Sequence, residues 1–298
     1  MRDPATGIWT QQQKLLASDA AAYHIFGKSV AISGDTAIVG ADYSTGIAND
    51  TGFAYIFVRD PSTGVWTEQE KLAPSDGVVN DYFGYRVAID GETAVVGSGL
   101  IGGSSYTYKY NSATGIWDES KLIRTNTSEA VGRNVSIRGD MAITGAPFLT
   151  SYGSAYIFER NPLSGDWAEQ QMLIQSDATS HGNFGYSVAI DSDLAVVGAY
   201  TASNGGAAYA FVRDPVSGVW GSQKLQASDG TSGGQFGGSV SISGDTIIVG
   251  AYGATGIEDF AGAAYVYTNT VVASPDITVT DSVAPIDDLQ VSFGDVPS

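Results

Sequence analysis

Five tryptophans, the only ones in the chain, stand at positions 9, 66, 117, 167 and 220, separated by 57, 51, 50 and 53 residues. A recurrence near 50 residues marks an array in which each unit repeats one supersecondary structure, and it limits the fold more than any local signal does. A second marker keeps the same beat: Phe26-Gly27, Phe83-Gly84, Val131-Gly132, Phe184-Gly185 and Phe236-Gly237, with valine replacing phenylalanine once.

Within one unit the residue types spell four strands. Ser29 to Ser33 and Thr36 to Ala41 are β-branched runs joined by Gly34-Asp35, a two-residue hairpin whose counterparts are Gly91-Glu92, Gly139-Asp140, Ser192-Asp193 and Gly244-Asp245. A third run carries Tyr55-Ile56-Phe57, matched by Tyr106-Thr107-Tyr108, Tyr156-Ile157-Phe158, Tyr209-Ala210-Phe211 and Tyr265-Val266-Tyr267. Pro61-Ser62-Thr63-Gly64, with proline early and glycine late, turns the chain into a fourth run that begins at the tryptophan and ends in Lys71-Leu72. No segment sustains helical apolar spacing, and 38 glycines punctuate the chain. Four strands per repeat predict an all-β fold, a β-propeller of four-stranded blades.

The phase of the repeats predicts how the array closes. The chain opens with a fourth-strand sequence, Trp9 to Leu16, and its last repeat stops after the third strand. Pairing the two gives five blades, at about 26–73, 83–123, 131–174, 184–226 and 236–268 together with 1–16, and leaves no open sheet edge. Closure is also what is expected to gather the loops on one face. Met1-Arg2-Asp3-Pro4 matches Val58-Arg59-Asp60-Pro61, so a larger ring with upstream blades is the alternative. Residues 273–298, with Pro275, Pro285 and Pro297, fit no blade and read as a linker and the truncated start of an immunoglobulin-like module.

Composition narrows the function. The formal charge of −18 would repel a nucleic-acid backbone. The absence of cysteine removes disulfides, thiolate nucleophiles and the usual zinc sites. No stretch approaches the ~18 apolar residues of a membrane span, and residues 1–20 lack the apolar core of a signal peptide. Gly97-Ser98-Gly99-Leu100-Ile101-Gly102 has the dinucleotide-binding glycine pattern, but the register places a strand where a helix would be needed. His24 and His181 lie in different repeats. The first strands bear acids only at their turn ends, so the facing carboxylates of a propeller glycosidase are not visible.

Phe-Gly at each repeat start, followed by Val39-Gly40-Ala41 and Val249-Gly250-Ala251, resembles the FG-GAP repeats of integrin α-subunit propellers and of bacterial surface proteins. The resemblance covers roughly Met1 to Thr268. It implies a propeller, an extracellular or cell-surface location, flanking modules in a longer chain, and the binding of a protein or glycan partner. The integrin-type calcium loop between first and second strands is replaced here by a two-residue turn. No catalytic residue and no resident cofactor or metal is expected; a calcium ion is left only the loop acids such as Asp42 and Asp50.

Variable sequence gathers in the second-to-third strand links and in the blade-to-blade crossings, which connectivity puts on one face. Tyr43, Phe148, Tyr200 and Tyr252, near strand ends in those links, are the candidate ligand-contacting aromatics, with Asp42 and Asp50 beside them. Asp19, Asp76, Asp177 and Asp229, each seven residues before its phenylalanine, read as turn formers. The expected role is a binding, adhesion or scaffolding module without an active site. The alternatives are a carbohydrate-active enzyme using loop carboxylates and a passive spacer.

Overall fold

The computed structural model describes residues 6–44, 51–99, 103–123, 132–177, 182–230, 232–254 and 261–268. Regular structure among them is entirely β. The first unit holds β1 (Ser29–Ser33), β2 (Thr36–Ala41), β3 (Phe53–Arg59) and β4 (Trp66–Leu72). The second holds β5 (Phe83–Asp90), β6 (Thr93–Ser98), β7 (Ser105–Asn111) and β8 (Ile116–Leu122). β9 (Asn134–Arg138), β10 (Met141–Ala146), β11 (Ser154–Arg160) and β12 (Trp167–Leu173) follow, then β13 (Ser187–Asp191), β14 (Leu194–Ala199), β15 (Ala207–Arg213) and β16 (Trp220–Leu225). The last unit contributes β17 (Phe236–Ser243), β18 (Thr246–Ala251) and β19 (Ala263–Thr268). Each unit is an antiparallel meander in sequence order; the first four are four-stranded propeller blades, and the last described sheet has three strands.

The hairpins form where the sequence predicts them. Gly34, Gly91, Gly139 and Gly244 adopt φ between +55° and +58°, the left-handed region that a tight turn needs, and Ser192 is held there at +55° without glycine's freedom. In the turn before the fourth strand, Asp60 supplies the missing partner. Its Oδ1 accepts from Ser62 N at 2.7 Å and Thr63 N at 3.0 Å. These bonds, the Ser62 hydroxyl's first among them, hold its pKa below the ordinary carboxylate value.

Burial falls on the second and third strands: β6 and β10 are buried throughout, whereas β1 is nowhere fully buried. First strands stack on first strands, β1 on β5, β5 on β9, β9 on β13 and β13 on β17, and so line the inner side of the array. The apolar clusters lie between sheets. Ile56 and Leu72 of the first sheet meet Phe83 and Val96 of the second, and Ile143 and Leu173 of the third meet Phe184 and Val197 of the fourth.

Two motif residues explain this packing. The phenylalanine of Phe-Gly plugs against both aromatics of its own third strand. Phe83 lies edge-on to Tyr106 and Tyr108 at 5.7 and 6.0 Å, and Phe184 repeats this with Tyr209 and Phe211 at 5.4 and 6.0 Å. Such edge-to-face pairs add about 0.5–1.5 kcal/mol each beyond the area they bury. The glycines form the seam between sheets. A Cβ on Gly40 would stand 2.0 Å from Gly84 O, on Gly97 1.9 Å from Gly132 O, on Gly145 2.1 Å from Gly185 O, and on Gly198 2.0 Å from Gly237 O. The glycine at the next-to-last position of each of the first four second strands therefore receives the carbonyl of the next unit's motif glycine, an approach any side chain would block.

The expected closure by the N-terminal strand is not made. Among the described residues the last sheet has three strands, and residues 10–17 form none. The segment lies instead along β4: Gln13 Nε2 donates to Trp66 O at 2.8 Å, Trp66 N donates to Gln13 Oε1 at 2.9 Å, and Ser18 N donates to Glu68 at 2.8 Å. β12 uses Gln171 in the same way against Trp220 of β16, at 3.1 and 2.9 Å. Trp9 to Leu16 thus takes the place of a preceding blade's fourth strand, and its side-chain amides are satisfied there, away from β19.

Both ends of the stack stay open. Val30 and Ile32 are 67% and 64% exposed at one end, as is Val266 at 61% at the other. Gly27 has no neighbour at its seam position, and Gly250 faces only Ser239 of its own sheet. Residues 273–298, the expected linker, lie outside the described residues.

Candidate functional site

The loops share a face even though the ring is open, because backbone bonds zip three of the described crossings to the link of the sheet before them. Phe83 N donates to Thr51 O at 2.8 Å, Phe184 N to Tyr152 O at 3.0 Å, and Phe236 N to Gly205 O at 2.8 Å. Each bond ties the start of one unit to the second-to-third strand link of its predecessor. Closure is not what gathers the loops.

The aspartates of the crossings act across space and not as local turn formers. Asp76 accepts from Tyr106 Oη and Lys121 Nζ, both at 2.6 Å; Asp19 accepts from Tyr55 Oη at 2.8 Å and Lys71 Nζ at 2.5 Å; Asp177 accepts from Tyr209 Oη and Lys224 Nζ, both at 2.5 Å. Each carboxylate fastens a crossing to the third and fourth strands of the blade it enters. Lys121, with Tyr106, holds the Asp76 carboxyl below its usual pKa. Asp229 receives Tyr265 Oη at 2.6 Å, and that hydroxyl is pushed up to about 12 by burial and by the carboxylate.

The candidate aromatics separate into three groups. Tyr43 is 42% exposed and lies 5.0 Å from the ring of Tyr82. Phe148, 38% exposed, carries the Arg133 guanidinium 4.9 Å from its centroid. Tyr200 stacks on Tyr186 at 4.1 Å and approaches Tyr252 at 6.4 Å, so this pair is brought together across the last two sheets. Asp42 is 1% exposed, its Oδ1 has no hydrogen-bond partner among the described residues, and burial raises its pKa against the lowering pull of Lys28 and Arg86. Asp50 lies outside the described residues, as does His181.

Residues following each Phe-Gly were not singled out from sequence. Lys28, Tyr85, Arg133 and Tyr186 occupy this position in the first four units and contact the candidate aromatics or each other. Their signal is that one variable, chemistry-bearing position directly follows the repeated motif.

On the opposite face the acids ending first strands are engaged in bracing turns. Asp90 Oδ2 accepts from Gly139 N at 2.7 Å and Asp191 Oδ2 from Gly244 N at 3.0 Å, while Arg138 bridges the two carboxylates at 3.6 and 3.3 Å. Among the described residues no group of three or more His, Asp or Glu is placed to hold a metal ion. No helix among them is long and apolar enough to cross a membrane.

Comparison with known families agrees with this geometry. The FG-GAP repeat model matches residues 9–57, 66–108, 167–211 and 220–267, more than half of the chain. Each match starts at a tryptophan and runs through the next third strand, spanning the seam just described; the unit at 117–158, where Val131 replaces phenylalanine, is not among them. No curated protein matches the chain. Repeats of this type fit an extracellular binding or scaffold module in general. The chain belongs to the FG-GAP repeat family.

Proposed function

We propose that the chain is a non-catalytic, extracellular binding module that presents its loop-bearing face to a protein or glycan and needs no cofactor. The observation that carries this reading is the Tyr186–Tyr200–Tyr252 cluster: three tyrosines from two adjacent units stack on the face where crossings and links meet, and Tyr252 is 56% exposed. Rigid, amphipathic rings with free faces supply contact area at small entropic cost. A glycan and matrix-protein array tests it. The intact chain should capture a ligand, and Tyr200→Ala with Tyr252→Ala should lose that ligand without a change in unfolding midpoint. Capture unaffected by the double substitution would move the site elsewhere.

Asp42 supports a second reading, a carbohydrate-active enzyme. A buried carboxyl with a raised pKa and an unpartnered oxygen has the character of a general acid. Reducing sugar released by the chain, and lost on Asp42→Asn, would favour this reading over the first.

A further inference from the structure

Three cations meet around one ring on the loop-bearing face. The Lys28 ammonium lies 5.2 Å, the Arg86 guanidinium 4.7 Å and the Arg133 guanidinium 5.0 Å from the centroid of Tyr85. Arg86 Nη1 donates to Tyr85 O at 3.1 Å, and Arg133 Nη2 donates to Tyr85 Oη at 3.2 Å. Arg133 is thereby held between the rings of Tyr85 and Phe148. These side chains come from the starts of three consecutive inner strands or the residues just before them.

The charge around them is the reverse of the molecule's. The chain carries −18 overall. Every other lysine or arginine among the described residues, except Lys14, is paired with a carboxylate. Lys28, Arg86 and Arg133 form no ion pair among the described residues. Asp42 is the carboxylate near enough to feel Lys28 and Arg86, and it is buried. Cation–π contacts offset part of the mutual repulsion and hold the groups in place. They leave a surplus of positive charge that an anion would complete.

We propose that this cluster binds a carboxylate-bearing saccharide, a polymer of uronic acid residues. The proposal rests on the binding-module reading and names the class of ligand. A guanidinium presents a planar fork of donors that matches a carboxylate. The ring of Phe148, partly exposed beside the Arg133 guanidinium, adds a flat surface for the apolar face of a sugar. An acidic peptide would supply carboxylates, but not the apolar sugar face that Phe148 fits.

Calorimetric titration of the full chain with polygalacturonate, its uncharged methyl ester and polyglutamate tests the assignment. Polygalacturonate should bind, more weakly as salt is raised, with the ester and polyglutamate at least about tenfold weaker. Arg86→Gln and Arg133→Gln should each reduce affinity about tenfold, the loss of one charge-assisted contact. Lys109→Gln, at the opposite face where Lys109 pairs with Glu92, should leave affinity unchanged. If the glutamine variants unfold, Arg86→Lys and Arg133→Lys keep the charge and remove the fork, and should weaken binding by a smaller factor. Equal binding of the methyl ester, tighter binding of polyglutamate, or full affinity in the folded arginine variants would overturn the proposal. Failure to bind polygalacturonate while the array ligand is still captured through Tyr200 and Tyr252 overturns this proposal alone; failure of both removes the module reading as well.

Discussion

Gly145→Ala should destabilise the chain although its backbone gives no reason for it to do so. Gly145 is absent from the positive-φ residues, so alanine at such a strand position would ordinarily stabilise by about 0.4–1 kcal/mol through the unfolded state. At the seam the new methyl group would lie 2.1 Å from Gly185 O and 3.0 Å from Gly185 C. Real Cβ atoms do not approach within 3.0 Å, so the third and fourth sheets must part by roughly 1 Å along their shared cluster. Overpacking of this kind costs about 1–3 kcal/mol, and more when backbone must move. In a chain of this size that is a fall in Tm of about 2–12 °C. Gly250→Ala is the control, since its Cβ would meet the Ser239 hydroxyl at 2.4 Å, a group that can rotate away. Urea and thermal unfolding of the two variants measure the difference. A Gly145→Ala chain as stable as the parent, or a Gly250→Ala chain equally damaged, would refute the seam argument.

Ser192→Gly should stabilise by about 1 kcal/mol, because Ser192 holds φ at +55° where the other turns use glycine; urea unfolding reads it. Asp76→Asn should cost about 1 kcal/mol at neutral pH, the tyrosine bond being partly buried and the lysine bond partly screened. Because the folded pKa of Asp76 lies below the unfolded value, its contribution is complete above about pH 5 and vanishes as pH falls through the folded value, so the parent and Asp76→Asn stabilities should converge in acid. Trp220→Ala should cost about 3–5 kcal/mol, since Trp220 is 3% exposed and its Nε1 donates to Gln170 at 2.9 Å. Trp9→Ala, at a ring 78% exposed, should stay within about 0.5 kcal/mol.

What the sequence revealed and what it hid follow from the range of the interactions. Strand and turn positions were legible because Gly34-Asp35 or Pro61 to Gly64 dictates its own conformation within a few residues. Trp9 to Leu15 matches Trp66 to Leu72 closely enough to be read as a fourth strand, but the match cannot tell which neighbour it will serve. Gln13 and Ser18 decide that by bonding to Trp66 and Glu68, about 50 residues away. Asp19 looked like a turn former because its partners, Tyr55 and Lys71, are 36 and 52 residues distant. The Lys28–Arg86–Arg133 cluster was hidden for the same reason, since only the stacking of β1, β5 and β9 brings three single charges from three repeats to one ring. Tyr43, Phe148, Tyr200 and Tyr252 could be found as strand-end aromatics, but their grouping depends on Tyr82, Arg133 and Tyr186 from the crossings.

At the described crossings before Phe83, Phe184 and Phe236, each unit is zipped crossing-to-link to its predecessor, which puts both kinds of loop on one face. Amide hydrogen exchange at Phe184 tests it most directly, because this amide precedes β13 and its bond goes to Tyr152 O in the preceding unit. Protection comparable to the neighbouring strand amides, matched at Phe83 and Phe236, is the predicted result. Exchange at the rate of an open loop would contradict the account.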